Sequence, residues 1–201
     1  MDWIAALAEE ARRSDIILAD QWAAKYAVGP GTVSKALSRC ARRGLVERVT
    51  HKIYVNKLVP DFLPQDLVNV LRPNSYISLE SALWFWGIST QTTALLTCVT
   101  TGKPRDFNGK AFAISYRSIA PRLYSGFIEK HTRYGKYLIA EPEKALLDWI
   151  YLSLQEGYTP DLDELTFQPI DRPKLLETGK RYPRTVLNLL LPALAVQPLA
   201  S

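Results

Sequence analysis

The sequence predicts an α+β chain in two parts: a small helical and hairpin-forming unit at residues 1–57 and a larger mixed α/β region at residues 58–201. Three observations carry this expectation. Two segments with helical apolar spacing, separated by Gly29-Pro30-Gly31, are followed at once by two short strand-forming runs. Residues 95–140 are rich in β-branched and aromatic side chains and are punctuated by Gly102-Lys103-Pro104 and Asn108-Gly109, as expected of an antiparallel sheet. Helical spacing returns after Glu141-Pro142, so helices flank that sheet.

In chain order, the first helix is expected over Trp3–Arg12, with Trp3 or Ile4, Leu7, Ala8 and Ala11 as its buried stripe. Ser14-Asp15 ends it, Ile16–Leu18 is extended, and Ala19-Asp20 opens a second helix with its body at Gln21–Tyr26. Gly29-Pro30-Gly31 interrupts the chain, and a third helix is expected over Thr32–Arg43, stopped by Gly44. Within it, Val33, Ala36, Leu37 and Cys40 fall at i, i+3, i+4 and i+7, an apolar stripe that faces a core. Lys35, Ser38, Arg39 and Arg42 fall on the opposite side. Leu45–Val49 and Lys52–Asn56 then read as two strands around a Thr50-His51 tip. Two helices, a tight glycine-containing turn and a trailing hairpin are the parts of a winged helix-turn-helix, which lays one helix in a DNA groove.

That reading assigns roles to residues. Thr32, Ser34 and Lys35 occupy the first turn of the third helix, where base edges are read, and Ser38 and Arg39 continue along the groove. Arg42, Arg43, Arg48, His51 and Lys52 are placed to meet phosphates or the minor groove. From Lys25 to Lys57 there are eight basic residues and one acid, Glu47. The alternative is a basic helix that is merely solvated, in an unrelated small domain.

The second part begins with a connector, Asn56–Asp66, that contains Pro60 and Pro64. A short helix at Asp66–Leu71 ends at a Pro73-Asn74 turn. Ser78 is the expected N-cap of a helix that runs to about Trp86, with Gly87 as its stop. Strands are expected at Leu95–Thr101, Arg105–Phe107, Ala111–Tyr116, Tyr124–Lys130 and Gly135–Ala140, with Asn108-Gly109 as a two-residue hairpin turn. Glu141-Pro142-Glu143-Lys144 opens a helix with proline at its first position. Ala145, Leu146, Trp149 and Ile150 form its apolar face. Asp163–Phe167, Arg172–Thr178 and Pro183–Leu191 read mostly as helix.

Composition narrows the function. The chain has 201 residues and a net charge of +5. Residues 1–57 hold ten Lys/Arg against six Asp/Glu, a net +4, and the remainder fifteen against fourteen, a net +1. A basic module joined to a near-neutral one fits a polyanion-binding head with a differently employed body. The two cysteines, Cys40 and Cys98, stand too far apart in sequence for a zinc motif or a disulfide framework, and a reduced cytoplasm is the expected setting. No run approaches the ~20 apolar residues of a membrane span. Asp161-x-Asp163 lacks the upstream Gly-Ser turn that nucleotidyl transfer needs. Glu141 and Glu143 suit a helix N-terminus, and Lys144 with Asp148 is an i,i+4 helix pair. His51 and His131 have no third ligand nearby. The chain is therefore read as a non-enzyme without a cofactor or metal.

Three stretches of the second part resemble one family: Ser75-Tyr76-Ile77-Ser78-Leu79-Glu80-Ser81-Ala82-Leu83 before Gly87; Thr97–Thr101 with Lys103-Pro104-Arg105-Asp106-Phe107, Ile114-Ser115-Tyr116 and Ile119; and Ala140-Glu141-Pro142-Glu143-Lys144-Ala145-Leu146-Leu147-Asp148 running to Tyr151-Leu152. Their order and spacing are similar to those of the AbiEi family, antitoxins of abortive-infection type IV toxin–antitoxin pairs. The likeness covers roughly residues 10–155 and is loose beyond. It implies an N-terminal winged helix that represses its own operon by binding inverted repeats in double-stranded promoter DNA. It also implies a C-terminal domain that counters a nucleotidyltransferase-type toxin without necessarily binding it stably. A positive face there would be drawn from Lys103, Arg105, Arg117, Arg122, Lys130, Arg133 and Lys136, although a scattered solvated surface accounts for them equally well. Trp84-Phe85-Trp86 cannot all point inward, and serves either packing or a partner. Two further readings stand beside this one: a winged-helix regulator whose second domain senses a ligand or partner unrelated to a toxin, and a module that sequesters its toxin stably.

Overall fold

The computed structural model describes residues 1–196, so the last five residues of the expected second domain lie outside the described residues. The chain is α+β, as predicted. Its first 56 residues run α1 (Trp3–Glu10), β1 (Ile16–Leu18), α2 (Ala19–Lys25), α3 (Pro30–Arg42), β2 (Val46–Arg48) and β3 (Ile53–Asn56). The three strands form an antiparallel sheet in the order β1-β3-β2.

Local chemistry explains these bounds. Asp2 caps α1, accepting from Ile4 N at 2.9 Å and Ala5 N at 3.2 Å. Its buried residues are Ala6 and Leu7, with Trp3 half-buried, whereas Ile4 and Ala8 face solvent. The expected stripe was thus rotated, because Trp3 stacks on Trp22 and meets Tyr26 edge-on, which fixes the face presented inward. Helix α3 begins two residues earlier than expected. Pro30 is its first residue, where a missing N–H costs nothing, so Gly29 alone is the break. Gly44, at φ +73°, ends it in the left-handed conformation that glycine adopts without strain. Val33, Ala36, Leu37 and Cys40 are buried, as their spacing required.

The remainder forms a six-stranded sheet in the order β6-β7-β5-β4-β9-β8. Its strands are β4 (Ser75–Ile77), β5 (Leu96–Thr100), β6 (Arg105–Asn108), β7 (Ala113–Ser118), β8 (Phe127–His131) and β9 (Lys136–Ala140). The helices are α4 (Gln65–Leu71), α5 (Leu79–Phe85), α6 (Pro142–Gln155), α7 (Arg172–Gly179) and α8 (Arg184–Val196). The antiparallel pairings are joined by two parallel ones, β5 with β7 and β4 with β9. Both follow from hairpins, β6–β7 and β8–β9, that lay their second strand inward against the centre of the sheet.

Several expected elements differ. Asn108 belongs to β6 and pairs with Ala113, so the turn is the four residues 109–112, closed by Gly109 N donating to Phe112 O. The burial of the Phe112 ring overrides the local Asn-Gly preference. Ser75–Ile77 was not read as a strand, because three residues carry too little pattern, yet it is central and fully buried. Ser78 precedes α5 but does not cap it; its hydroxyl is drawn to Asp148 instead. Tyr124 follows a 3₁₀ turn (Pro121–Leu123), and β8 starts only at Phe127. Asp163–Phe167 is not helix; its expected start is the Asp161 carboxylate accepting from Asp163 N, a local turn.

Two apolar cores result. One joins Leu7, Ile17, Trp22, Val33, Leu37, Cys40, Val46 and Tyr54; the other runs through the six-stranded sheet and α4–α8. Strand β3 belongs to both. Tyr54 enters the first core and the adjacent Val55 the second, as strand alternation dictates.

Candidate nucleic-acid interface

The apolar stripe of α3 decides which of its side chains face water. With Val33, Ala36, Leu37 and Cys40 inward, Thr32, Lys35, Arg39, Arg42 and Arg43 are exposed and Ser34 and Ser38 half-exposed. Among the described residues no acid lies within ion-pair distance of Lys35, Arg39, Arg42 or Arg43. The N-terminus of α3 is equally bare. Gly29 offers no capping side chain, and neither Gly29 nor Gly31 has a neighbour within 4 Å of where a Cβ would stand.

The β2–β3 hairpin carries the other expected contacts. Arg48 Nε donates to Thr50 O at 3.2 Å, which lays that side chain along the hairpin. His51 and Lys52 are exposed at its tip. Lys52 is the one member of the set with an acid partner: its Nζ donates to Asp20 Oδ2 at 2.7 Å. Behind the helix, burial raises the Cys40 thiol, although Arg43 and Arg39 pull it the other way. Cys40 is therefore a core residue held as a neutral thiol.

The second expected set is not brought together. Lys103 and Arg105 lie at the β6 edge and Lys130, Arg133 and Lys136 in the β8–β9 hairpin at the opposite edge. Five strand spacings separate these edges, roughly 24 Å. Arg122 is exposed in the 3₁₀ turn. Arg117 pairs with Glu156, Lys136 with Glu129 at 2.7 Å and Arg133 with Asp61 at 3.5 Å. Lys130 sits over the rings of Phe85 and Trp86. Of the aromatic run, Trp84 (52%) and Phe85 (42%) are exposed, while Trp86 is half-buried and donates Nε1–H to Ala140 O at 2.7 Å.

A different charged cluster unites two of the stretches singled out in the sequence. Asp148 Oδ2 accepts from Tyr76 OH and Ser78 Oγ, each at 2.9 Å, and Asp148 Oδ1 accepts from Tyr182 OH at 2.7 Å and from Lys144 Nζ. Lys144 Nζ also lies 2.6 Å from Tyr182 OH. All five side chains are buried. Burial lowers the Lys144 ammonium, and the adjacent Asp148 carboxylate opposes that. Burial first, and then Asp148, raise the phenols of Tyr76 and Tyr182. The expected i,i+4 helix pair is thus the centre of a network joining β4, α6 and the segment before α8. Sequence reasoning could name the pair but not its burial. Tyr182, 34 positions away from Asp148, gave no local signal.

Glu143 is likewise buried and accepts from Asp171 N at 2.9 Å, while Lys174 Nζ bridges to Glu141 at 2.6 Å. Among the described residues no group of three or more His, Cys, Asp or Glu side chains is placed to hold a metal ion. No helix among them is long and apolar enough to cross a membrane. Comparison with protein-family models yields no match to this chain, and comparison with curated proteins yields none either.

Proposed function

We propose that the chain is a double-stranded-DNA-binding transcriptional regulator that uses residues 1–57 as a winged helix-turn-helix, with α3 in the major groove. One observation supports this above the others. Helix α3 stands on a well-packed core and turns Lys35, Arg39, Arg42 and Arg43 to solvent without acid partners. Cations that serve only solubility are commonly interleaved with acids, whereas a helix that meets phosphates keeps them free. Thr32, Ser34, Lys35, Ser38 and Arg39 are assigned to base edges. Arg42, Arg43, Arg48, His51 and Lys52 are assigned to the phosphate backbone, the last after exchanging Asp20 for a phosphate.

The likeness of the second part to AbiEi antitoxins extends the proposal. The protein would repress its own promoter from inverted repeats, one chain on each half-site, and counter a nucleotidyltransferase-type toxin in the cytoplasm. The likeness lies in packing residues. Tyr76, Ser78, Lys144 and Asp148 build the buried network of this domain, so they support a shared fold more than a shared surface. Toxin antagonism would then fall to one edge of the sheet, either Lys103 and Arg105 or Lys130, Arg133 and Lys136, and not to a single face. The domain carries no assigned catalytic residue and no cofactor in this reading.

Growth rescue tests the two halves separately. Co-expression of the full chain with a nucleotidyltransferase-type toxin should restore growth, and substitution of Arg39 and Arg42 by Ala should abolish promoter repression while leaving rescue intact. Failure of rescue with an active toxin would remove the antitoxin reading and leave a DNA-binding regulator with another input.

A further inference from the structure

Two acids meet where the N-terminal unit joins the sheet. Asp15 lies just before β1, and its carbonyl accepts from Asn56 N at 2.7 Å, at the end of β3. Asp66 lies in the first turn of α4, on the other side of the connector. Both are buried, at 1% and 6% exposure. Their carboxyls approach within hydrogen-bonding reach of one another. Asp66 Oδ1 is already satisfied by the Thr132 hydroxyl of the β8–β9 turn. Asp15 Oδ2 and Asp66 Oδ2 are each buried and accept no hydrogen bond. Two ionised carboxylates cannot share such a place, because each desolvates and repels the other. A single proton between them satisfies both oxygens.

We propose that Asp15 and Asp66 share one proton across the boundary between the N-terminal unit and the sheet, and that losing it loosens the two parts from each other. Among the described residues no cation forms an ion pair with either carboxyl. Tyr137 of β9 faces Asp66, and its phenol is raised by burial and by that carboxylate. In the β8–β9 hairpin, Arg133 is held by Asp61, Lys136 by Glu129, and Lys130 lies over Phe85 and Trp86. Backbone N–H groups of Asp15 itself and of Leu63 favour the ionised form, but desolvation and Asp66 outweigh them and push the Asp15 carboxyl from 3.8 up to about 7. A carboxyl raised in this way stabilises the folded state while protonated. Its contribution is complete below the unfolded value of 3.8 and is lost as pH rises through about 7.

The full chain is used for the test. Carboxyl ¹³C shifts should show one proton leaving the Asp15–Asp66 pair near neutrality; both carboxyls fully ionised by about pH 5 would overturn the proposal. Wild-type Tm should fall by several degrees between about pH 5 and pH 8. In Asp15→Asn the amide donates to Asp66 at every pH, so this slope should flatten and Tm at about pH 8 should exceed that of wild type; an unchanged slope overturns the proposal. Asp66→Asn, which presents its amide to Asp15, gives the same reading should the first variant not fold. Tryptic cleavage after the exposed Lys57 reads the coupling between the parts. At about pH 8 it should be several-fold faster in wild type than in Asp15→Asn, and equal rates would refute the loosening. A rise in wild-type Tm with Mg²⁺, absent in Asp15→Asn, would replace the shared proton by a bridging cation.

Discussion

Helices α3 and α6 have similar lengths, 13 and 14 residues, and both begin with proline, yet they treat charge in opposite ways. Helix α3 buries four residues on one stripe and leaves its cations in water. Helix α6 buries ten, among them Glu143, Lys144 and Asp148, because the sheet lies on one side and α5, α7 and α8 pack around the rest. A lysine on α3 is available to a partner. A lysine on α6 is enclosed by Tyr76, Asp148 and Tyr182 and reaches no ligand. The comparison teaches that a cation in the sequence is open to a partner only where the fold leaves its helix face uncovered.

The largest effect is expected in α6. Replacing Asp148 by Ala strands a buried ammonium and three hydroxyls, and should cost about 3–5 kcal/mol in denaturant unfolding. Replacing Lys144 by Met and Asp148 by Leu together should recover most of that loss, because removing both charges also removes their desolvation. A double variant as unstable as the single one would mean that the hydroxyls, and not the ion pair, hold the network.

On α3 the same operation should leave folding untouched and act on binding. Arg39→Ala should weaken operator binding by ~1–3 kcal/mol and relax preference at one base pair. Arg42→Ala should weaken binding to all sequences alike and reduce the salt dependence by about one phosphate contact. Titrations at two salt concentrations with matched and scrambled operators distinguish the two. If both variants bind as wild type does, α3 is not the reading helix.

How much of this was legible follows the same division. The elements of the N-terminal unit were readable because each is local: a period of 3.6 over α3, a glycine at φ +73°, a β-branched hairpin. So were α6 and the existence of the sheet's two hairpins, but not the four-residue turn of β6–β7 or the start of β8 at Phe127. The rotated stripe of α1 was not, since Trp3 takes its orientation from Trp22 and Tyr26, some 20 positions on. The three residues of β4 were too few to carry a pattern. Ser78 had the right type and place for a cap, and only the fold could reveal that its hydroxyl instead donates to Asp148. The candidate DNA contacts lie on α3 and the β2–β3 hairpin, two neighbouring stretches of one unit whose elements are each local. The candidate antitoxin contacts span a sheet whose strand order no local signal encodes.

Contact between the two parts gives an effect of similar size, now on stability. The β6–β7 turn meets β2, with Lys110 N donating to Glu47 and Gly109 packed between Glu47 and the Phe112 ring. A Cβ at Gly109 has no room there, so Gly109→Ala should destabilise by about 1–3 kcal/mol and move the Phe112 environment in NMR spectra. Wild-type stability would show that the turn lifts away from β2 at little cost.

The smallest stability effect belongs to Lys52, which shares features of both helices. It is exposed like the cations of α3 and paired like Lys144, but its partner Asp20 is also exposed. Water already solvates both charges, so breaking the pair in Lys52→Ala should change stability by no more than about 0.5 kcal/mol. If the hairpin contacts phosphate, the same variant should still lower affinity for every DNA sequence, with the loss shrinking as salt is raised. Asp20→Asn supplies the opposing result, because it frees Lys52 from its competitor and should strengthen binding. Equal affinity in both variants would confine the interface to α3 and leave the hairpin tip outside it.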